Sequence, residues 1–362
     1  MDHICGRFAG VDWATDSHAV CVTDDRGAVV AEFDVEHTAQ GLAGLCRRLA
    51  EAGVERAAIE RPDGAVVEAL LGAGFEVVVV SSRAVKALRC RYGGAGNKCD
   101  RGDAYILADC LRTDGHRWPP LRPDSAETVA LRSHVRARKD LVGARVAAAN
   151  QLRAHLRVAF PGAVGLFSRI DSPISLRFLA RFPSEARARW LRAARYSGGA
   201  SAEELYGRLA GAGGDTPSSV TSAYTAVLES LNDQIRRLDS RIAELLDAHP
   251  DAAIFSSLPR AGTIRAATLL AEIGDCRARY PDPESLAAAA GVAPSTRSSG
   301  RHRSVTFRWA CDKRLRDALC DFAGDSRHAN TWAQHRYQTL RAAGKRHPHA
   351  ERILARSWAH II

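Results

Sequence analysis

Arg7-Phe8-Ala9-Gly10-Val11-Asp12 is a short apolar run that ends on an acid. It reads as a strand, and the neighbouring segments extend the pattern. His18–Thr23 and Ala28–Val35 read as two more strands, joined through Asp24-Asp25-Arg26-Gly27, a strong hairpin signal. A helix over about 39–52 comes next, with Leu42, Leu45, Cys46 and Leu49 on one face. A strand at 56–60, a helix at 64–72, a strand at 75–80 and a helix at 100–112 complete the series.

The acids fall at the ends of these elements. Asp12 closes the first strand, and Ala57-Ala58-Ile59 leads to Glu60. Lys98-Cys99-Asp100-Arg101-Gly102-Asp103-Ala104 opens the late helix with two acids three residues apart, hence on one face. Four carboxylates so placed are what two divalent ions need. Oxygen donors suit Mg²⁺, and two ions roughly 3.5–4 Å apart can stabilise both the attacking and the leaving oxygen of a phosphodiester. Three antiparallel strands followed by helix–strand units is the order of the ribonuclease H-like fold, an α/β domain with a mixed sheet. In it, acids at the ends of the first and fourth strands and on a late helix converge. Strand cutting on nucleic acid is the chemistry this placement implies.

Composition agrees. The 362 residues allow two or three domains, and 46% apolar with 25% charged content is that of a globular chain. A net charge of +10 favours a polyanionic partner, nucleic acid first. Lysine occurs only at 86, 98, 139, 313 and 345; the dominance of arginine also fits a GC-rich coding bias and decides little. No apolar run reaches the roughly 20 residues of a membrane span, and no signal-peptide pattern opens the chain. The nine cysteines show no C-x-x-C pair or zinc spacing and read as reduced thiols of a cytoplasmic protein.

The boundaries expected are an α/β domain at 1–115, long coiled-coil helices at 116–250, and a mainly α-helical domain at 251–362. Residues 83–98, basic and glycine-rich at their end, suit either a mobile loop on a phosphate backbone or a solvated connector. Residues 126–159 form a long helix with apolar positions including Leu131, Val135, Val142, Val146 and Leu152. A second, at 222–247, places Tyr224, Leu228, Leu231, Ile235, Leu238, Ile242 and Leu245 at heptad spacing. These helices pair with each other or with another subunit. Between them, 160–220 reads as a helical insertion with glycine-rich ends. Phe255–Thr263 leading into a helix at Ile264–Ile273 has the order of a helix-hairpin-helix element, which offers backbone amides to phosphate.

A second constellation runs through Gly291-Val-Ala-Pro294-Ser295-Thr296-Arg297-Ser298-Ser299-Gly300-Arg301-His302-Arg303, read as a flexible loop before a helix starting at Arg308. A serine before glycine is exposed and free to approach a phosphate. Arg297, Arg301, Arg303, Arg308, Lys313 and Arg314, with Lys98 and Arg101 upstream, are the candidate nucleic-acid contacts.

This ordered set resembles the bacterial insertion-sequence transposases that combine an acidic DEDD tetrad with a C-terminal serine, the family guided by a bridge RNA. The matching pieces are Gly10-Val-Asp12-Trp13, Ile59-Glu60-Arg61-Pro62, Asp100-Arg-Gly-Asp103-Ala104, Ala271-Glu272-Ile273-Gly274-Asp275, Gly291-Val-Ala-Pro294, Thr296-Arg297-Ser298-Ser299-Gly300 and Arg308-Trp309-Ala310-Cys311. The resemblance implies a Mg²⁺-binding tetrad of Asp12, Glu60, Asp100 and Asp103 and a nucleophile at Ser299, with Ser298 the competing choice. It also implies donor and target double-stranded DNA, a guide RNA, and a homodimer or homotetramer. Cys99 stands where the family carries a small hydroxyl residue, and the Pro259–Gly262 turn keeps only one of the usual two glycines. Two other readings stay open: a metal-dependent ribonuclease H-like nuclease or junction resolvase without a covalent intermediate, and a non-catalytic nucleic-acid-binding protein.

Overall fold

The computed structural model describes residues 6–92, 99–188, 207, 218–299 and 302–362. The chain divides into two compact units, Met1–Pro123 and Asp124–Ile362.

The first unit is built on a five-stranded sheet of order β3-β2-β1-β4-β5. β1 (Arg7–Asp12) pairs antiparallel with β2 (Ser17–Thr23), which pairs antiparallel with β3 (Val29–Glu36). On its other side β1 runs parallel to β4 (Val54–Ile59), and β4 parallel to β5 (Glu76–Val79). Side-chain alternation divides the core in two. Ala9, Val11, Val20, Val22, Ala57, Ile59 and Val77 face α1 (Ala39–Glu51) and α2 (Ala65–Gly72), whose Leu42, Leu45, Leu49, Val66 and Leu70 fill that side. Ala58 and Val78 face the other way, towards Val85 of α3 (Ser82–Tyr92) and Ile106, Leu107 and Leu111 of α4 (Asp100–Asp114). α1 starts where Thr38 accepts a hydrogen bond from Gly41 N.

Residues 82–92, expected as loop or connector, form α3. Only Val85 of this basic helix is fully buried, and Ala84, Leu88 and Tyr92 pack beside it, a stripe that the intervening Arg83, Lys86, Arg89 and Arg91 obscure in sequence. The glycine-rich run after it, 93–98, lies outside the described residues.

The second unit is mainly helical. α5 (Ala126–Ala159) opens on Ser125, whose hydroxyl accepts from Thr128 N. It lies antiparallel to α7 (Ser218–Asp247), with α6 (Pro173–Arg181) between them in sequence. Thr128 meets His249, Arg138 meets Asp239 and His155 meets Thr221, so contacts advance along one helix as they retreat along the other. The two apolar stripes therefore cover each other within one chain. Val146, expected on this stripe, is half exposed. Part of the 160–220 insertion, including both its glycine-rich ends after 188, lies outside the described residues.

α8 (Ala252–Ser256) leads through a tight turn, with Arg260 and Gly262 both at positive φ, to α9 (Gly262–Ile273). α9 is the buried centre of this unit, with Ala266, Ala267, Leu269, Leu270 and Ala271 all inaccessible. α10 (Pro283–Ala289), α11 (Lys313–Ser326), α12 (Thr331–Ala342) and α13 (His347–Ala359) complete it. Between α10 and α11 stands an antiparallel hairpin, β6 (Ser295–Ser299) with β7 (His302–Thr306). The flexible loop expected here is thus a paired ribbon. The helix expected from Arg308 begins only at Lys313, because Asp312 accepts from Arg314 N and Leu315 N and so fixes the start. Among the described residues no helix is long and apolar enough to cross a membrane.

Candidate active site

Asp12 and Glu60 end neighbouring parallel strands, and the register pairs Val11 with Ile59 immediately before them. Adjacent strands lie about 4.8 Å apart, so the two acids leave the sheet side by side. By alternation Asp12 shares a face with Gly10, and Glu60 with Ala58, which is the face that α4 covers. Gly10 makes that cover close: a Cβ there would collide with the Ala104 carbonyl and stand 2.5 Å from Ala108 N. Small residues at Ala19, Cys21 and Ala104 continue the contact. The first turn of α4 is thereby held against β1. Asp100, which opens that turn, is exposed.

Arg89 of α3 reaches this turn. Its Nε and Nη2 donate to the two carboxylate oxygens of Asp103 at 2.7 and 2.6 Å. Asp103 is 2% exposed, so a charged partner is required there. The Arg89 pKa is raised above its ordinary value, first by the Asp103 hydrogen bonds against the opposing effect of burial. The charges of Asp103, Glu60 and Asp12 add to the rise. One guanidinium thus answers three of the four predicted acids. Among the described residues, no cluster of three or more histidine, cysteine, aspartate or glutamate side chains is arranged to hold a metal. The donor chemistry nevertheless fits a hard divalent cation: the charges of three carboxylates, Asp12, Glu60 and Asp103, act on a place that a guanidinium already fills.

The loop after β1 is tied down from behind. Ala14 N donates to His18 Nδ1, and His18 Nε2 lies 2.9 Å from His37 Nδ1. His18 is fully buried; burial first, then the charge of His37, lowers its pKa. Arg61 stacks over Trp13, its Cζ 4.5 Å from the ring centroid.

Sequence reasoning missed Arg89, because a cation 14 residues from its acid carries no local signal. It also missed Asp109, buried on α4 and held by Arg112 and the Tyr92 hydroxyl. Asp109 serves docking: Arg112 and Tyr105 donate to the carbonyls of Asp25 and Gly27 in the β2–β3 turn.

In the second unit Ser299 ends β6 opposite His302, and Ser298 pairs with Arg303. Both serines are exposed. Adjacent strand residues point to opposite faces, so a phosphate on one face of the ribbon meets one of these serines and not the other. Lys98 and Arg301 lie outside the described residues, as do the side chains of Arg297 and Arg303. Arg101 is held by Asp34 at 3.2 Å, Arg314 stands 3.9 Å from Asp140, and Lys313 is exposed. The Nε of Arg308 is buried with no hydrogen-bond partner.

The Glu272–Asp275 stretch has a structural task. Glu272 is buried and takes two bonds from Arg136 at 3.0 and 2.7 Å. Burial works to raise the Asp275 pKa, but hydrogen bonds from Ser125 and Thr128 outweigh it and hold the carboxyl down at about 2. At the Pro259–Gly262 turn Arg260 and Arg265 share Asp325, at 3.1 and 2.8 Å, so an acid backs the amides expected to meet phosphate.

Residues 9–161 match a family model described as Transposase, of the IS110 DEDD type. Residues 252–338 match one described as Transposase IS116/IS110/IS902 family. The chain is 33% identical over 374 residues to the mini-circle putative transposase for IS117 of Streptomyces coelicolor, covering 96% of this chain and 90% of that protein. It is 28% identical to the insertion element IS110 uncharacterized 43.6 kDa protein of the same organism, over 80% of this chain and 75% of the relative. The insertion element IS900 uncharacterized 42 kDa protein of Mycobacterium paratuberculosis is also 28% identical, over 98% and 94%.

Proposed function

The chain belongs to the IS110/IS116/IS902 family of insertion-sequence transposases, and from that premise we propose that it exchanges DNA strands through a serine–phosphate intermediate. The observation that supports the reading is Arg89, which bonds Asp103 through both carboxylate oxygens and also feels the charges of Glu60, after β4, and Asp12, at the end of β1. A structural acid needs one partner; a single cation acted on by three acids from distant segments favours a functional site.

Asp12, Glu60, Asp100 and Asp103 would hold Mg²⁺ in a ribonuclease H-like domain, where it supplies Lewis-acid stabilisation of charge on a phosphate. Ser299 Oγ attacks phosphorus in line. The Oγ–P bond forms as the bond from phosphorus to one DNA oxygen breaks, and that oxygen takes up a proton as the serine loses one. A hydroxyl of a second strand then attacks the phosphoserine and releases Ser299, so phosphodiester bonds are conserved. Arg297, Arg301, Arg303, Arg308, Lys313 and Arg314 surround the hairpin in sequence and would bind the phosphates, with Lys98 and Arg101 acting near the tetrad. An RNA paired with donor and target DNA would leave sequence choice to base pairing. The parts at 1–115, 116–250 and 251–362 would serve as tetrad domain, coiled-coil spacer and serine domain of a cytoplasmic homodimer or homotetramer.

The test is recombination of donor and target plasmids by the purified protein with its element-flanking RNA and Mg²⁺. Ser299→Ala and Asp12→Asn each abolish product. Wild-type recombination by Ser299→Ala refutes the serine step, and DNA cutting by that variant without joining gives the case to the metal nuclease.

A further inference from the structure

Trp309 is 78% exposed, more than any other large apolar side chain among the described residues. It is nonetheless firmly placed. Phe307 stands edge-on beneath it, ring centroids 4.8 Å apart at 83°. Phe307 lies in turn under two guanidiniums, those of Arg352 at 4.8 Å and Arg316 at 5.7 Å from its centroid. The carrying loop is pinned at both sides. Gly291, at φ +67°, lets Cys311 and the Arg308 carbonyl pass: a Cβ there would sit 2.6 Å from Cys311 Cβ and Sγ. Asp312 N donates to Ala289 O at 2.8 Å, and Asp312 spends its carboxylate on the start of α11.

A rigid, uncovered indole needs an occupant. A stable protein interface takes about 800 Å² from each partner. A tryptophan offers about 200 Å², and the nearest exposed apolar side chain in sequence is Val305 alone. The patch has the area of one base. Its frame is cationic: Arg316 and Arg352 lie over Phe307, and Arg308, Lys313 and the basic hairpin are close in sequence. An exposed π-face with cations beside it is what single-stranded nucleic acid binds, base on ring and phosphates on the charges.

We propose that Trp309 is a stacking platform for one unpaired base of single-stranded DNA next to the β6–β7 hairpin. The inference rests on the reading of the chain as an enzyme of DNA strand exchange and adds how a strand is gripped when its bases are unpaired. Base stacking tolerates any sequence, so a homopolymer suffices as a probe.

The experiment is fluorescence anisotropy of the full chain with a labelled thymidine DNA of about twelve nucleotides, and with the matching uridine RNA, across a salt series. Trp309→Ala weakens DNA binding about tenfold and Trp309→Phe keeps most of it. The slope of log Kd against log salt stays at the wild-type value, because stacking releases no counterions. The melting temperature is unchanged, since the ring is exposed. Wild-type affinity in Trp309→Ala overturns the proposal. So does a loss accompanied by a shallower salt slope, a loss confined to RNA, or a change in sedimentation showing that the ring covers a second copy of the chain. The Ser299 adduct is read separately from this affinity, so a failed serine step and a failed platform are told apart.

Discussion

Replacing Arg89 with glutamine removes the one cation that the buried carboxylate of Asp103 holds in both hands. Asp103 exposes 3% of its side chain and Arg89 19%. Breaking a fully buried pair at one partner costs about 3–5 kcal/mol, mostly from the charge left behind. Water reaches a fifth of Arg89, which places the cost near the lower end, about 3 kcal/mol. In a unit of this size that lowers the melting temperature of the first unit by roughly 10 °C. The double variant Arg89→Gln/Asp103→Asn pairs two neutral amides, removes the stranded charge and recovers most of the loss. Mg²⁺ restores Arg89→Gln more than it stabilises the wild type, because a divalent ion then takes a place no guanidinium contests. At a hundred times its dissociation constant it returns about 2.7 kcal/mol. Calorimetry of the full chain, with and without Mg²⁺, reads both effects. Melting of Arg89→Gln within a degree or two of wild type would show that Asp103 does not depend on this cation, and would refute the reasoning.

Three further outcomes rest on the same geometry. Gly10→Ala drives a methyl into the Ala104 carbonyl and prises α4 from β1; overpacking costs about 1–3 kcal/mol, and a backbone obstacle puts this case at the top of that range, read by denaturant unfolding. His18, with its pKa lowered from 6.5 first by burial and then by His37, takes up a proton less readily in the folded state than in the unfolded chain. Stability of the first unit therefore falls as pH drops below about 6.5, and His18→Gln flattens the profile; an unchanged slope in the variant would contradict this assignment. Ser299→Ala leaves the melting temperature within the roughly 0.5 kcal/mol typical of surface changes, since Ser299 is exposed, so any loss of recombination is chemical.

The sheet was legible because strands with one face on each helical layer alternate: Val11 and Val20 face one side, Gly10 and Ala19 the other. The long helices were legible because a stripe such as Leu228, Ile235 and Ile242 repeats at the helical period. What escaped carries a weak apolar pattern or none. α3 fully buries only Val85, and the β6–β7 ribbon of serine, threonine and arginine is held by its backbone ladder, which leaves no mark on composition. The start of α11 hid behind a basic run, because the cap at Asp312 carries no apolar signal. Asp12 and Glu60 stood out as candidates because they follow apolar runs, and Asp100 and Asp103 because they open a helix three residues apart; Arg89 did not, because its bond to Asp103 exists only after α3 and α4 pack.

The central claim is a covalent bond between DNA and one named serine. Labelled element-end DNA, flanking RNA, Mg²⁺ and the full chain are incubated, denatured, and digested for peptide mass spectrometry. A denaturation-resistant adduct that maps to Ser299, is absent from Ser299→Ala and persists in Ser298→Ala is the predicted result. Cleaved DNA with no adduct, or an adduct on any other residue, contradicts the account.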